Sequence, residues 1–181
     1  RVGSVSAVSN MRDLERLDFS NTPVDSLFPV SSLSGMRDLR FENSGIDDLN
    51  ALSGLSELEL LNCSGTQVNS LEPARFLVRI ERLYIERTGI NDLSPLENLE
   101  NLRILYADGS EIKSLKGLED LPALRYIYCD GTDIEAAEAQ RFMLANEDVL
   151  VVYESETLGK WWQGLDTEWK KVFRSYISLD T

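Results

Sequence analysis

The apolar positions of this chain keep a fixed cadence. Val24, Ile46, Val68, Ile90, Ile112 and Ile134 lie 22 residues apart, and Val2 extends the series backwards. Before each anchor runs the pattern L-x-x-L-x-L-x-x-T. It is filled by Leu14, Leu17, Phe19 and Thr22 in the first copy and by Ile80, Leu83, Ile85 and Thr88 in the fourth. After the anchor an apolar residue returns at every third position, as in Ile90, Leu93, Leu96, Leu99 and Leu102. Alternation with period two predicts a short strand with one face buried, and steps of three predict a tight helical or extended return. One such coil cannot bury its own apolar face. Stacked coils can, each adding one rung to a continuous core.

The cadence breaks after Ile134. The segment EAAEAQRFMLANEDV is rich in helix formers and predicts a true helix. VLVVY, residues 149–153, predicts a last strand paired with Arg125 to Asp130. In the tail, Trp162, Leu165, Trp169, Val172 and Tyr176 recur at steps of three and four, an amphipathic helical stripe. Its expected role is to seal the open end of the stack. This divides the chain into a solenoid, 1–153, and a Trp-rich helical cap or start of a following block, 154–181.

The six copies resemble the leucine-rich repeat family, in the 22-residue class of bacterial internalins, with INDLSPLENLENLRILYADGS (residues 90–110) the nearest match. The resemblance covers roughly residues 1 to 135. It implies a curved, right-handed α/β solenoid with a parallel concave sheet, short 3-10 or extended convex returns and a C-terminal helical cap. The tail, with Trp162, Leu165, Trp169, Lys170 and Phe173, is similar to an element of surface leucine-rich-repeat proteins of Bacteroides-like bacteria. That implies one block of a longer, secreted or surface-attached bacterial protein, with a cytoplasmic address as the alternative. The family usually carries Asn where this chain has Thr22, Ser44, Thr66, Thr88, Ser110 and Thr132. A hydroxyl has one donor where an amide has two, so a softer ladder of turns is expected.

Composition narrows the function. A formal charge of -13 repels phosphate backbones and anionic lipid, and argues against nucleic-acid binding. There is no His, which removes Ser-His-Asp and Cys-His chemistry. Cys63 and Cys129 fall on the second inward strand position, three coils apart. At about 4.8 Å per strand that is too far for a disulfide, so both read as small buried apolar residues. No metal or cofactor is expected, and no enzymatic activity: the many carboxylates carry no pairing more specific than their abundance.

Candidate chemistry lies on the face that alternation leaves uncovered. Its first two coils offer Arg16, Asp18, Ser20, Asp38, Arg40 and Glu42, an ordinary solvated surface. From the third coil it changes to Leu60, Tyr84, Ile104, Tyr106, Tyr126 and Tyr128, flanked by Glu86, Asp108 and Asp130. Tyrosine suits strands for packing reasons alone. It also offers rigid amphipathic area and is enriched at interfaces. The expectation is a non-catalytic protein- or peptide-binding module, its partner carrying Lys or Arg or being an adjoining block of the same full-length chain. A glycan-binding surface and a structural spacer are the alternatives.

Overall fold

The computed structural model describes residues 5–155 and, beyond them, positions 159, 163, 164 and 167. Val2 lies outside the described residues, as do Trp162, Leu165, Trp169, Lys170, Val172, Phe173 and Tyr176, which carried the expected cap.

Seven three-residue strands form one parallel sheet in chain order: β1 Arg16–Asp18, β2 Asp38–Arg40, β3 Leu60–Asn62, β4 Arg82–Tyr84, β5 Ile104–Tyr106, β6 Tyr126–Tyr128 and β7 Leu150–Val152. The sequence period becomes the register, since Leu17, Leu39, Leu61, Leu83, Leu105 and Ile127 stand side by side in adjacent strands. Only the last step differs: Ile127 pairs with Val151, a spacing of 24, because helix α1, Ala136–Ala145, replaces the usual return. The broken cadence after Ile134 therefore marks both the expected helix and the expected terminal strand.

The returns are 3-10 turns at Phe28–Val30, Asn50–Leu52, Glu72–Phe76 and Ser94–Leu96. Each is started by the side chain two residues earlier. Ser26 Oγ accepts the Phe28 N–H at 3.3 Å and Asp48 Oδ1 the Asn50 N–H at 2.8 Å. Ser70 Oγ and Asp92 Oδ1 do the same for Glu72 and Ser94. Alternating Ser and Asp at this one position supplies the acceptor that lets the chain turn tightly.

The strand ladder extends past the strands themselves. The N–H groups of Phe19, Phe41, Cys63, Ile85 and Ala107 donate to the next coil at Arg40, Asn62, Tyr84, Tyr106 and Tyr128. Two residues further the chain must swing out of the sheet, and does so in the left-handed region at Asn21, Asn43, Gly65, Arg87, Gly109 and Gly131. Asn and Gly tolerate that region, whereas Arg87, at φ 53°, holds it with a strained backbone.

The hydroxyl column bonds within its own coil. Thr22, Thr66, Thr88, Ser110 and Thr132 each donate to the carbonyl three residues earlier at 2.6–2.7 Å. Ser44 Oγ is the exception, a buried atom with no partner. This column thus adds no bond between coils, and the core of the middle coils is sealed: Leu39, Leu61, Leu83 and Leu105 are each at most 1% exposed. Full burial of one such side chain stabilises by about 1.5–3 kcal/mol. Cys63 and Cys129 are buried free thiols, and burial pushes both up to about 12.

Candidate functional site

The sheet face opposite the 3-10 returns carries three lanes that run across the strands. Pairing sets their membership. The first lane holds Leu60, Arg82, Ile104, Tyr126 and Leu150, and the second holds Asn62, Tyr84, Tyr106, Tyr128 and Val152. The third, two residues beyond, holds Ser64, Glu86, Asp108 and Asp130. The sequence-predicted residues fall on one continuous surface, and Leu60 alone fails to reach it. Leu60 is 4% exposed, covered on the sheet face between its register neighbours Asp38 and Arg82 and outside the core cluster beneath the sheet, so it offers a partner almost nothing. Alternation correctly gave its face, yet carries no information about how deeply longer neighbours cover it.

In the middle lane the tyrosines stack on one another. Tyr84 and Tyr106 have ring centroids 4.3 Å apart at 6°, and Tyr106 and Tyr128 are 4.9 Å apart at 4°. These spacings are near the strand separation of about 4.8 Å, so ring normals run along the stack. The inner ring faces are consequently occupied, and the lane presents ring edges and a row of hydroxyls. Burial, then the neighbouring Tyr84 hydroxyl, raises the Tyr106 phenol above its ordinary value. Tyr126 lies 6.5 Å from Tyr128 at 19°. Two residues along a strand span about 6.6 Å, so this pair sits side by side, outside the stack. At 43% exposure Tyr126, with Leu150 at 52%, forms the open apolar end of the first lane.

The acids are less free than the sequence implies. Asp108 Oδ1 accepts the Asp130 N–H at 2.8 Å, and Asp130 Oδ1 accepts the Ser155 N–H at 2.7 Å. The Ser155 hydroxyl donates to the other Asp130 oxygen. Glu86 Oε2 accepts from Ser64 Oγ at 3.2 Å, while its own N–H donates back to that hydroxyl. Each carboxylate therefore ties one coil to a neighbour. Burial is the main reason the Asp108 carboxyl rises above its usual range; the Asp130 N–H opposes the rise and the Asp130 charge adds to it. This structural duty was invisible in the sequence, because it depends on the acid lane lying beside backbone N–H groups of the next coil.

One part of the surface was missed apart from Tyr126. An open hollow of about 450 Å³ lies where the first lane meets the segment after α1, between Tyr126, Met143, Val149 and Leu150, with Glu147 and Asp148 among its walls. It joins residues from the irregular last coil, where no period exists to align them. Among the described residues no group of His, Cys, Asp and Glu is placed to hold a metal ion, and no helix is long and apolar enough to cross a membrane.

No family model and no curated protein matches the sequence. Similarity appears among solved structures. An internalin (inlF) of Listeria monocytogenes superposes with a TM-score of 0.69 at 20% identity, over 84% of this chain and 51% of that one. Internalin C2 of the same organism gives 0.68 at 22% identity, over 84% and 76%. A leucine-rich repeat protein of Leptospira interrogans gives 0.67 at 14%, over 83% and 46%. The chain thus spans about half the length of the first of these. Identities this low speak for the backbone and leave the site to be argued from its own residues. Register, 3-10 returns and superposition agree on one conclusion: the chain has the leucine-rich repeat solenoid fold of the internalin type.

Proposed function

We propose that this chain is a non-catalytic protein- or peptide-binding module, and that it binds through the C-terminal half of the open sheet face. The observation that carries the reading is the preassembled Tyr84–Tyr106–Tyr128 stack, rigid before any partner arrives and flanked by an apolar lane and an acid lane. Rings already fixed against one another lose little further freedom on binding, which removes a main cost of association. The acid lane, Glu86, Asp108 and Asp130, selects a partner with Lys or Arg and repels a second copy of this acidic chain.

Occupied ring faces also weigh against glycan recognition, which draws on open aromatic faces. A spacer block leaves the exposed Tyr126 and Leu150 without a purpose. The resemblance to internalins supports a secreted or surface address and a block within a longer bacterial protein.

The test is a random-peptide display library panned against the full chain. Recovered peptides are then measured by fluorescence anisotropy on the wild type and on Tyr106→Val, which keeps a strand-forming residue in the central position. Loss of a central interface tyrosine should weaken binding by about tenfold or more. Peptides that bind Tyr106→Val as well as wild type would refute the assignment of this face.

A further inference from the structure

The hollow beside Tyr126 is chemically unlike the rest of the face. Its apolar side is Met143, Val149 and Leu150; its aromatic wall is Tyr126; its acids are Glu147 and Asp148. Within the stack the tyrosine faces cover one another, whereas Tyr126 stands beside that stack, in register with Leu150, and remains 43% exposed.

The charges around the hollow are out of balance. Arg125 is its one described cation, and the guanidinium is engaged elsewhere. Its Nη1 donates to the Pro122 carbonyl at 3.0 Å and to the Leu124 carbonyl at 2.6 Å. Among the described residues, none of the ion pairs includes Glu147 or Asp148. On the other side of Arg125 an adjoining hollow adds Glu119 and Asp120, so the neighbourhood is negative over a wide arc.

We propose that this hollow is a receptor for an arginine side chain of the partner, seated with its guanidinium against Tyr126 and between Glu147 and Asp148. The aliphatic stem of arginine matches Met143 and Leu150. Its planar, weakly hydrated head stacks on an aromatic face and forms forked hydrogen bonds to carboxylates. A lysine ammonium is more strongly hydrated and lacks the plane, and a neutral or acidic side chain meets an uncompensated negative rim. The proposal rests on the reading of the sheet face as a binding surface, and names the point where that surface anchors its partner.

The experiment separates the two. The isotope-labelled full chain is titrated at low ionic strength with Nα-acetyl-arginine amide and with its neutral isostere Nα-acetyl-citrulline amide, following backbone amide resonances. Arginine amide should give saturable shifts around residues 125–126 and 147–150. Citrulline amide should bind about tenfold more weakly, the scale of losing a cation–π contact together with an exposed ion pair. The double variant Glu147→Gln, Asp148→Asn and the variant Tyr126→Leu should each lose the saturable response, while Tyr106→Val should keep it. Equal binding of citrulline amide, or a response unaffected by the double variant, overturns the proposal. Shifts confined to the acidic hollow beside Phe28 on the other side of the molecule overturn it too. Library peptides that need Tyr106 but not Glu147 and Asp148 would leave the face intact and remove the arginine receptor alone.

Discussion

Replacing Gly65 by Ala should destabilise the chain about twice as much as replacing Gly131, although both glycines turn the backbone at φ 65°. The shared part is the left-handed conformation. A Cβ there costs about 1–2 kcal/mol, and the narrower unfolded ensemble of Ala offsets about 0.4–1 kcal/mol. The net loss common to both sites is about 1 kcal/mol. At Gly131 nothing more is added, because the nearest atoms to a new Cβ are those of Gly109, at 3.9 Å. At Gly65 the new Cβ would collide with Asn43 Oδ1. The obstacle is the far end of a side chain, so Asn43 will rotate away without displacing the backbone. Rotation gives up its donation to Asn21 Oδ1 at 3.1 Å and to Glu42 Oε1 at 3.3 Å. Both bonds are exposed, and hydrogen bonds of this kind contribute about 0.5–1.5 kcal/mol, adding about 1 kcal/mol. Thermal unfolding followed by circular dichroism measures both variants. For a chain of this size the expected falls in Tm are about 2–4 °C for Gly131→Ala and about 4–8 °C for Gly65→Ala. In an Asn43→Gly background the extra loss should disappear. Equal effects at the two sites, or an excess that survives Asn43→Gly, would refute the argument.

The hydroxyl column offers a second contrast by the same melts. Thr88→Ala breaks the bond to the Ile85 carbonyl and should lose about 1 kcal/mol, whereas Ser44→Ala removes a buried unpartnered oxygen and should be neutral or stabilising. Titration gives two opposite signs in the acid range. Asp108 has a folded pKa above its unfolded value, so its ionised form opposes folding, and that opposition lifts as pH falls through the folded pKa. Asp108→Asn, which keeps an acceptor for the Asp130 N–H, should therefore match or exceed wild-type stability at pH 7 and lose any advantage in acid. Asp92 is held below the usual range by the Ser94 hydroxyl and then the Ser94 N–H. Its contribution is present above the unfolded pKa and lost as pH falls through the folded one, so Asp92→Asn should flatten the acid limb of stability against pH. The buried thiols at about 12 should resist alkylation in the native chain and react only with unfolding, which iodoacetamide labelling across a urea series would show.

Most of the backbone was legible because a solenoid writes its register into its period. The 22-residue anchors became the strand pairing, and the break after Ile134 announced α1 and β7. What stayed hidden depends on side-chain depth and direction. Leu60 lies on the expected face yet beneath its neighbours. Tyr84, Tyr106 and Tyr128 were expected as a column, but closure of their ring faces follows from rotamers that no spacing encodes. Asp130 reads as a free acid until Ser155 is found bonded to it, 25 residues later and across an irregular coil. The hollow beside Tyr126 lies wholly in that irregular coil and its junction with β6, where alignment by period has already failed.

The in-register stacking has a consequence for how such a chain can change. Neighbouring coils meet through the same positions at every step from β1 to β6. Excising residues 87–108, for instance, joins Glu86 to Gly109 and leaves a shorter solenoid whose new neighbours already fit, with one tyrosine fewer in the row. Duplicating the same stretch lengthens the row by one ring. Unequal recombination between copies can thus vary the reach of the sheet face in whole-coil steps without passing through a misfolded intermediate sequence. The β6–β7 step, at 24 residues and with α1 inside it, accepts no such exchange. The row of tyrosines can thus grow or shrink by whole coils, while the end beside Tyr126 stays fixed.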